Sequence, residues 1–507
     1  MAQYREHEGE VIDQFNGLWS RGDVDNTPLD HFSECNNIKF IGSSSFRTRD
    51  GIGISQSVST PLSNIKRAYN YPTNTANTLL ILAYDSASNT GSIYHVANAS
   101  TVFGPILSKV GMTDFAFVPI AGRAYISPFA TFDVGGLNQE KGLSGEFVYV
   151  YAGDGTAARK AAGSPLSGSM TIANGAAGHT DAGFHIFAFV VETSSGYLTP
   201  PGLNGSFITA AGSSVSFSSV DVSTDPSATK RHLVATKVIT TFNGDLNGYQ
   251  FFFVPNAIIN DNVTTTLSNI SFYDADLLDD ASHLIDNYTE IPAGAVLSIY
   301  HTRLLVASIF TDISTILVSA VGEPEAISQI DGLIAVPPDG NPITNAQELR
   351  DVLYVFKRSK TVAYQDNESV PSSWPLITVD NALGTSVHGI ATVLDSGSSS
   401  VDYLLICTYQ GIMLFNGKYI QPELSWKIED LWHKLNRNDF RFIQIINAPI
   451  QKEIYTVLPT GNLLSGNYGN GMDPKKIRWT PNSFVPRINS VAIVNIDEII
   501  LGADLIT

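Results

Sequence analysis

Charge is scarce in this chain. Only 15% of its 507 residues are Asp, Glu, Lys or Arg, against roughly 25% in an average soluble protein. What charge there is leans acidic, with 30 Lys and Arg against 48 Asp and Glu and a formal net charge of -18. A protein that grips a duplex needs clustered basic side chains to displace counterions. The densest basic run here is the short Lys475-Lys476-Ile477-Arg478, which excludes that class. An acidic surface serves solubility, and it also lets a phosphate backbone slide past without sticking. Cysteine is nearly absent: Cys35 and Cys407 are too far apart in sequence to mark a disulfide framework or a metal site. Cys407 falls in an apolar strand and reads as a small core residue. No run of about 18 apolar residues occurs, so no membrane-spanning helix is expected. The stretch after Met1, Ala2-Gln3-Tyr4-Arg5-Glu6-His7-Glu8, is charged and polar rather than a signal peptide. The expectation is synthesis in a cytoplasm, with any exterior site reached by assembly or lysis, and no membrane partner.

Motifs of catalysis are missing as well. The ten His residues are scattered, with no His-x-x-x-His and no cysteine pair, so no metal is expected. His95, His185, His232 and His301 fall in or beside strands and read as structural. There is no Gly-x-Ser-x-Gly elbow. Gly153-Asp154-Gly155-Thr156-Ala157-Ala158-Arg159 is glycine-rich but lacks the Gly-Lys-Ser/Thr of a phosphate loop, so no nucleotide cofactor is expected. Asp274-Ala275-Asp276-Leu277-Leu278-Asp279-Asp280 offers oxygens for Ca²⁺, yet lacks the Gly and terminal Glu of an EF-hand; a solvated linker is the better reading. A glycosidase needs two placed carboxylates. Asp114, Asp351 and Asp402 each open a strand unit and would have to converge on a central cavity. The repeated Ser-x-Asp-x-Gly-x-Thr-Trp boxes of sialidases do not occur. The site expectation is therefore blank: no catalytic, cofactor-binding or metal residues, and no enzyme.

Short apolar strands joined by turns are what the chain has in quantity. His301-Thr302-Arg303-Leu304-Leu305-Val306-Ala307, Asp351-Val352-Leu353-Tyr354-Val355-Phe356, Asp402-Tyr403-Leu404-Leu405-Ile406-Cys407 and Glu453-Ile454-Tyr455-Thr456-Val457-Leu458 share one form. Leu79–Tyr84 and Ser92–Val96 make a hairpin around Ser88-Asn89-Thr90-Gly91, and Asp114 to Ser127 makes another around Ala121-Gly122. Glu146–Tyr151 is a further strand. A recurring strand-turn-strand unit is the signature of a radially repeated sheet. We expect an all-β chain: a β-propeller of about six or seven blades.

Between about residues 173 and 280 the rhythm changes. Phe184–Val191, Val215–Phe217, Arg231–Thr236, Tyr249–Val254 and Thr264–Leu267 belong to a set of about seven short strands with turn signals every 8–12 residues, the arithmetic of a fibronectin- or immunoglobulin-like β-sandwich. The expected division is 1–60, a loop-rich segment with a closing strand; 61–172, the opening blades of the propeller; 173–280, the inserted sandwich; and 281–507, the remaining blades. Phe46-Arg47-Thr48-Arg49 and Glu498-Ile499-Ile500-Leu501 are expected to share the last blade. Two segments read as helical: Asn345–Arg350, and Ile428–Leu435, whose Ile428, Leu431, Trp432 and Leu435 form one apolar packing stripe with Ser425 as a cap.

The order of these segments is similar to that of a known family. Phe15-Asn16-Gly17-Leu18-Trp19-Ser20-Arg21-Gly22 leads to Pro28-Leu29-Asp30-His31-Phe32-Ser33-Glu34-Cys35-Asn36-Asn37-Ile38 and then to Phe46-Arg47-Thr48-Arg49-Asp50-Gly51. Thr229–Thr236 and Asn262–Thr266 resemble the family's inserted sandwich, and His301–Ala307 and Leu353–Lys357 its later blades. With these motifs the chain resembles the tail nozzle, or tail stabilisation, proteins of short-tailed phages. The resemblance implies a virion structural protein of the tail: a homohexameric tube below an adaptor ring on the portal, carrying fibres or spikes, with DNA passing through the lumen without sequence-specific contacts. The family has no catalytic residues to carry over. The rival readings are a carbohydrate-active β-propeller enzyme and a receptor- or glycan-binding adhesin of the tail-fibre type.

Overall fold

The computed structural model describes residues 17–20, 31–32, 36–41, 45–48 and, with short gaps of which 395–400 is the longest, 64–503. Over these residues the fold is all-β, with one short α-helix, α1 (Glu429–His433), and a few 3₁₀ turns. No helix among them is long and apolar enough to cross a membrane.

Six sheets of four or five antiparallel strands follow one another, over residues 65–110, 114–160, 294–335, 343–380, 390–420 and 444–482. A two-stranded sheet over 488–503 comes last. The first strands of these seven sheets are β1 (Ile65–Pro72), β2 (Asp114–Ile120), β3 (Gly294–Tyr300), β4 (Ile343–Leu349), β5 (Ile390–Leu394), β6 (Gln444–Ala448) and β7 (Ile488–Val494). All seven line one cavity. Strand β7 packs against both β6 and β1, so the last sheet lies beside the first.

The sequence explains the units. Successive strands run back on themselves through two-residue turns in which both residues have positive φ: Ala121-Gly122, His301-Thr302 and Arg350-Asp351. Such turns match the twist of the flanking strands. The second strands, Leu304–Ala307 and Leu404–Cys407, are buried throughout, as continuous apolar runs demand when both sheet faces are covered. An apolar core lies between each sheet and the next: Leu82 and Phe115, Val150 and Leu304, Leu305 and Val355, Phe356 and Leu404, Leu405 and Ile454, Val457 and Val491. The seventh core, with Val494 and Ile81, joins the last sheet to the first. Each such side chain contributes about 1.5–3 kcal/mol on burial.

Residues 171–270 form two further sheets. One holds Thr171–Ala177, Ser213–Ser218 and Leu267–Ile270; the other holds Gly202–Thr209, Gly183–Thr193, Ala228–Ala235 and Phe252–Ile259. Phe187, Phe189 and Leu233 of the second face Val215 and Phe217 of the first across a shared core. The chain leaves and returns at one place: Ala161 N donates to Val148 O (2.8 Å), and Val148 N donates to Ile291 O (2.8 Å).

Three expectations are corrected. Asn345–Arg350 is not helical: it lies in β4 and its turn, with Asn345–Leu349 paired to Val352–Phe356. Ala, Gln, Glu and Leu favour helices locally, but six residues form no stable helix alone, and cross-strand packing decides. Ser45–Thr48 and Glu498–Ala503 lie in separate sheets, so they share no last blade. Glu498–Ala503 pairs with β7. Ser45–Thr48 pairs with Ile38–Ile41, and that hairpin docks on the outer strand Arg478–Asn482 through Asn37 N and Pro481 O (3.1 Å). Ser425 does not cap with its side chain: its Oγ accepts from Ile412 N, at 2.9 Å. The stripe on α1 and its flanks is a packing face, with Ile428 and Trp432 buried and Leu431 and Leu435 against the same core. Of the strands, Tyr249–Val254 begins only at Phe252, and Thr264–Leu267 only at Leu267.

Candidate functional site

The cavity between the seven first strands is about 430 Å³. Its walls alternate small apolar residues with amides and rings, among them Ala68, Tyr69, Asn345, Gln347 and Asn447. No carboxylate lines it among the described residues. Gln444 is the clamp of its wall. Its side-chain amide acts as a second backbone, donating to Val491 O (2.9 Å) and accepting from Val491 N (3.1 Å). It also accepts from Arg67 Nη1 (3.2 Å), which joins β6, β7 and β1.

One end of the cavity is closed by charge. Arg67 of β1 reaches Asp114 at the head of β2 with Nε (3.2 Å) and Nη2 (2.7 Å). His388, just before β5, places Nε2 2.9 Å from Asp114 Oδ2 and Nδ1 2.9 Å from the Tyr69 hydroxyl. A neutral ring with its proton on Nε2 satisfies both contacts, donating to the carboxylate and accepting from the phenol. Burial opposes ionisation of Asp114, but Arg67 and then His388 outweigh it and hold the carboxyl well below its usual value. Burial, then Arg67, pushes His388 down. Burial and Asp114 push the Tyr69 phenol up. An aspartate held so firmly ionised is a poor general acid.

Beyond this cluster lies a vestibule of about 370 Å³. Lys66, Arg67, Arg441 and Arg487 line it, against the carboxylates of Asp114 and Glu140. Glu140, from the strand Leu137–Gly142, accepts both contacts of Arg358 Nη2 (2.8 and 3.0 Å). Phe442 and Leu458 supply apolar wall.

The expected carboxylate trio does not assemble. Asp114 faces the vestibule with Arg67 and His388, while Asp351 is exposed at a hairpin turn beside His301. The side chain of Asp402 lies outside the described residues. The histidines divide. His95 bonds Tyr151 and Thr78, His185 bonds Thr236 O, and His232 bonds Glu192. His301 instead sits among acids, with Nε2 3.8 Å from Glu348 and 3.7 Å from Asp351 and Nδ1 3.8 Å from Asp366. Two adjacent hairpin turns bring these groups together, which no spacing motif would reveal. The carboxylates of the Asp274–Asp280 stretch serve nearby amides: Asp274 accepts from Val238 N, Asp276 from Tyr273 N and Asp280 from Ser282 N. The glycines of Gly153–Arg159 serve a turn at positive φ. Arg159 pairs with buried Glu325 at 2.7 Å, and Glu325 also accepts from Ser195 of the two-sheet segment. Cys407 is buried and its thiol is pushed up by burial. Sequence reasoning missed Arg67, His388 and Arg441, because no spacing motif marks them.

No protein-family model matches this chain, and no curated protein matches it by sequence. Among solved structures, apo AztD from Citrobacter koseri is similar over 88% of this chain and 90% of its own, at 9% identity and a TM-score of 0.34. A crystal structure of the same protein covers 93% of this chain and 98% of its own, at 10% identity and 0.33. Hsv2 from Kluyveromyces lactis covers 83% and 98%, at 11% and 0.26. Likenesses of this degree carry no argument about function.

Proposed function

We propose that this chain is a structural protein of a phage tail: a seven-position β-propeller with an inserted β-sandwich, assembling as a ring that forms the distal tail tube. The observation that carries the reading is the axis. Seven first strands surround a cavity with no lining carboxylate among the described residues, and a satisfied Arg67–Asp114–His388 cluster shuts one end. Such an axis is a scaffold's core. It is far too small for a duplex, so DNA would exit through a lumen between subunits, where a net charge of -18 keeps the phosphate backbone from sticking.

The insert supports the same reading. It departs and returns around Val148, the geometry of a domain added to a finished body. It carries exposed apolar side chains, including Ile208, Val263 and Leu278. A permanent ring needs more than about 2,000 Å² of rather apolar contact per interface, and the insert and the N-terminal segment are its natural suppliers. The residues quoted for the family resemblance that lie outside the described ones include Phe15, Asn16, Arg21, Pro28, Cys35 and Arg49. Gly17 to Ser20 dock on the body, with Leu18 N bonded to Trp479 O (3.0 Å) and Ser20 N to Lys427 O (2.9 Å). The neighbours in this reading are an adaptor ring above and fibres or spikes outside.

Light scattering combined with two-dimensional projections of the particle tests the proposal. A sixfold ring with a hollow axis is the expected result. A monomer that cleaves glycans would replace it with the carbohydrate-active reading, and a monomer that only binds them with the adhesin.

A further inference from the structure

The vestibule holds an arginine with two unsatisfied donors. Arg441 rises from the 3₁₀ turn Arg437–Phe442 and lines the vestibule. Its Nε and Nη1 are sealed from solvent and have no hydrogen-bond partner among the described residues. Both carboxylates of the vestibule are already engaged, Asp114 by Arg67 and His388 and Glu140 by Arg358. Donor N–H groups withdrawn from water without an acceptor are costly, and proteins normally satisfy them. The Phe442 ring lies 4.6 Å from the Arg441 guanidinium carbon, which places an apolar wall beside the fork. Arg487 stands exposed at the rim, donating to Pro459 O. The lining thus brings Lys66, Arg67, Arg441 and Arg487 to one vestibule with Asp114 and Glu140.

We propose that this vestibule binds a small organic anion. Its carboxylate or phosphate head takes the planar fork of Arg441, which suits either group. Its apolar part, a ring or short chain, lies against Phe442 and Leu458. A volume of about 370 Å³ falls in the range of small-molecule sites. The site is independent of the ring assembly and of the tail role, because every group that builds it comes from one chain.

Matched probes test this: benzoate against acetate, and phenyl phosphate against inorganic phosphate. Each is titrated into the intact chain at ionic strength held with chloride, followed by calorimetry and by thermal unfolding. The expected result is saturable binding and a rise in Tm, with the aromatic member of each pair the tighter. Arg441→Met should weaken binding about ten- to a hundred-fold, the worth of a charge-assisted hydrogen bond, and should leave the unliganded Tm equal or higher, since it removes two unsatisfied donors. Phe442→Ala should erase the advantage of the aromatic probes while leaving acetate and phosphate unchanged, a readout that stands even if Arg441→Met does not fold. Benzoate and phenyl phosphate distinguish the two heads. No saturable response to any probe, or a response unchanged in Arg441→Met, overturns the proposal.

Discussion

At the scale of residues, this protein puts its few charges to structural use. Arg67, Asp114 and His388 sit where three first strands meet, each side chain answering another. Their linkage to pH has one sign. The Asp114 carboxyl is lowered on folding, so its contribution is complete above the unfolded value of about 3.9 and is lost as pH falls through the folded one. His388 is also lowered, here because burial and Arg67 penalise the charged ring. Its contribution is complete above about pH 6.5 and is lost as acid forces the proton on. Urea unfolding should therefore show stability flat from about pH 7 to 9 and falling as the pH drops below about 6.5. In His388→Gln that first decline should shrink, the remainder coming from residues such as His95, which burial also lowers. Asp114→Asn at pH 7 should cost about 3–5 kcal/mol, because it strands Arg67. A loss below about 1 kcal/mol would show Arg67 to be well solvated without its partner.

At the scale of elements, the first strands are held to one another by side chains that imitate backbone. Gln444 occupies both the N–H and the C=O of Val491, Asn345 donates to Val387 O (2.8 Å), and Asn489 donates to Ile65 O (3.1 Å). First strands diverge too far for a continuous ladder, so amide side chains bridge them. Gln444→Met keeps the volume and leaves Val491 N, Val491 O and Arg67 short of a partner. The expected loss is about 2–3 kcal/mol, with hydrogen exchange at β7 accelerating before that of β3 and β4. Uniform acceleration would mean that the last sheet is not a separate unit. The helix expected at Asn345–Arg350 belongs to this scale. Its composition favours a helix, but Arg350-Asp351 at positive φ turns the chain back, and Ala346 and Leu349 are buried between sheets.

At the scale of the molecule, the chain enters and leaves the two-sheet segment at one place. Ala161 and Ile291 flank Val148, and the Arg159–Glu325 pair with Ser195 fastens the junction. Replacing residues 163–290 by a short Gly/Ser linker should leave the seven remaining sheets folded, read as a retained cooperative thermal transition and strand signal by circular dichroism. The same deletion should abolish the ring assembly proposed above, read by light scattering. An unfolded product would show that the segment is part of the body's core rather than an addition to it.

Several features were legible in the chain itself. Hairpins such as Leu79–Val96 and Asp114–Ser127, the all-β class, and the change of rhythm near residue 173 all follow from apolar alternation and turn chemistry, which act over a few residues. Tertiary structure alone decided that Gln444 joins β6, β7 and β1, and that Arg67, Asp114 and His388 meet, as do His301 and Glu348. Those partners stand tens to hundreds of positions apart. Local pattern carries hydrophobicity and turn geometry, whereas a lone charged or amide residue takes its meaning from whichever group the packing of whole sheets brings within hydrogen-bond reach.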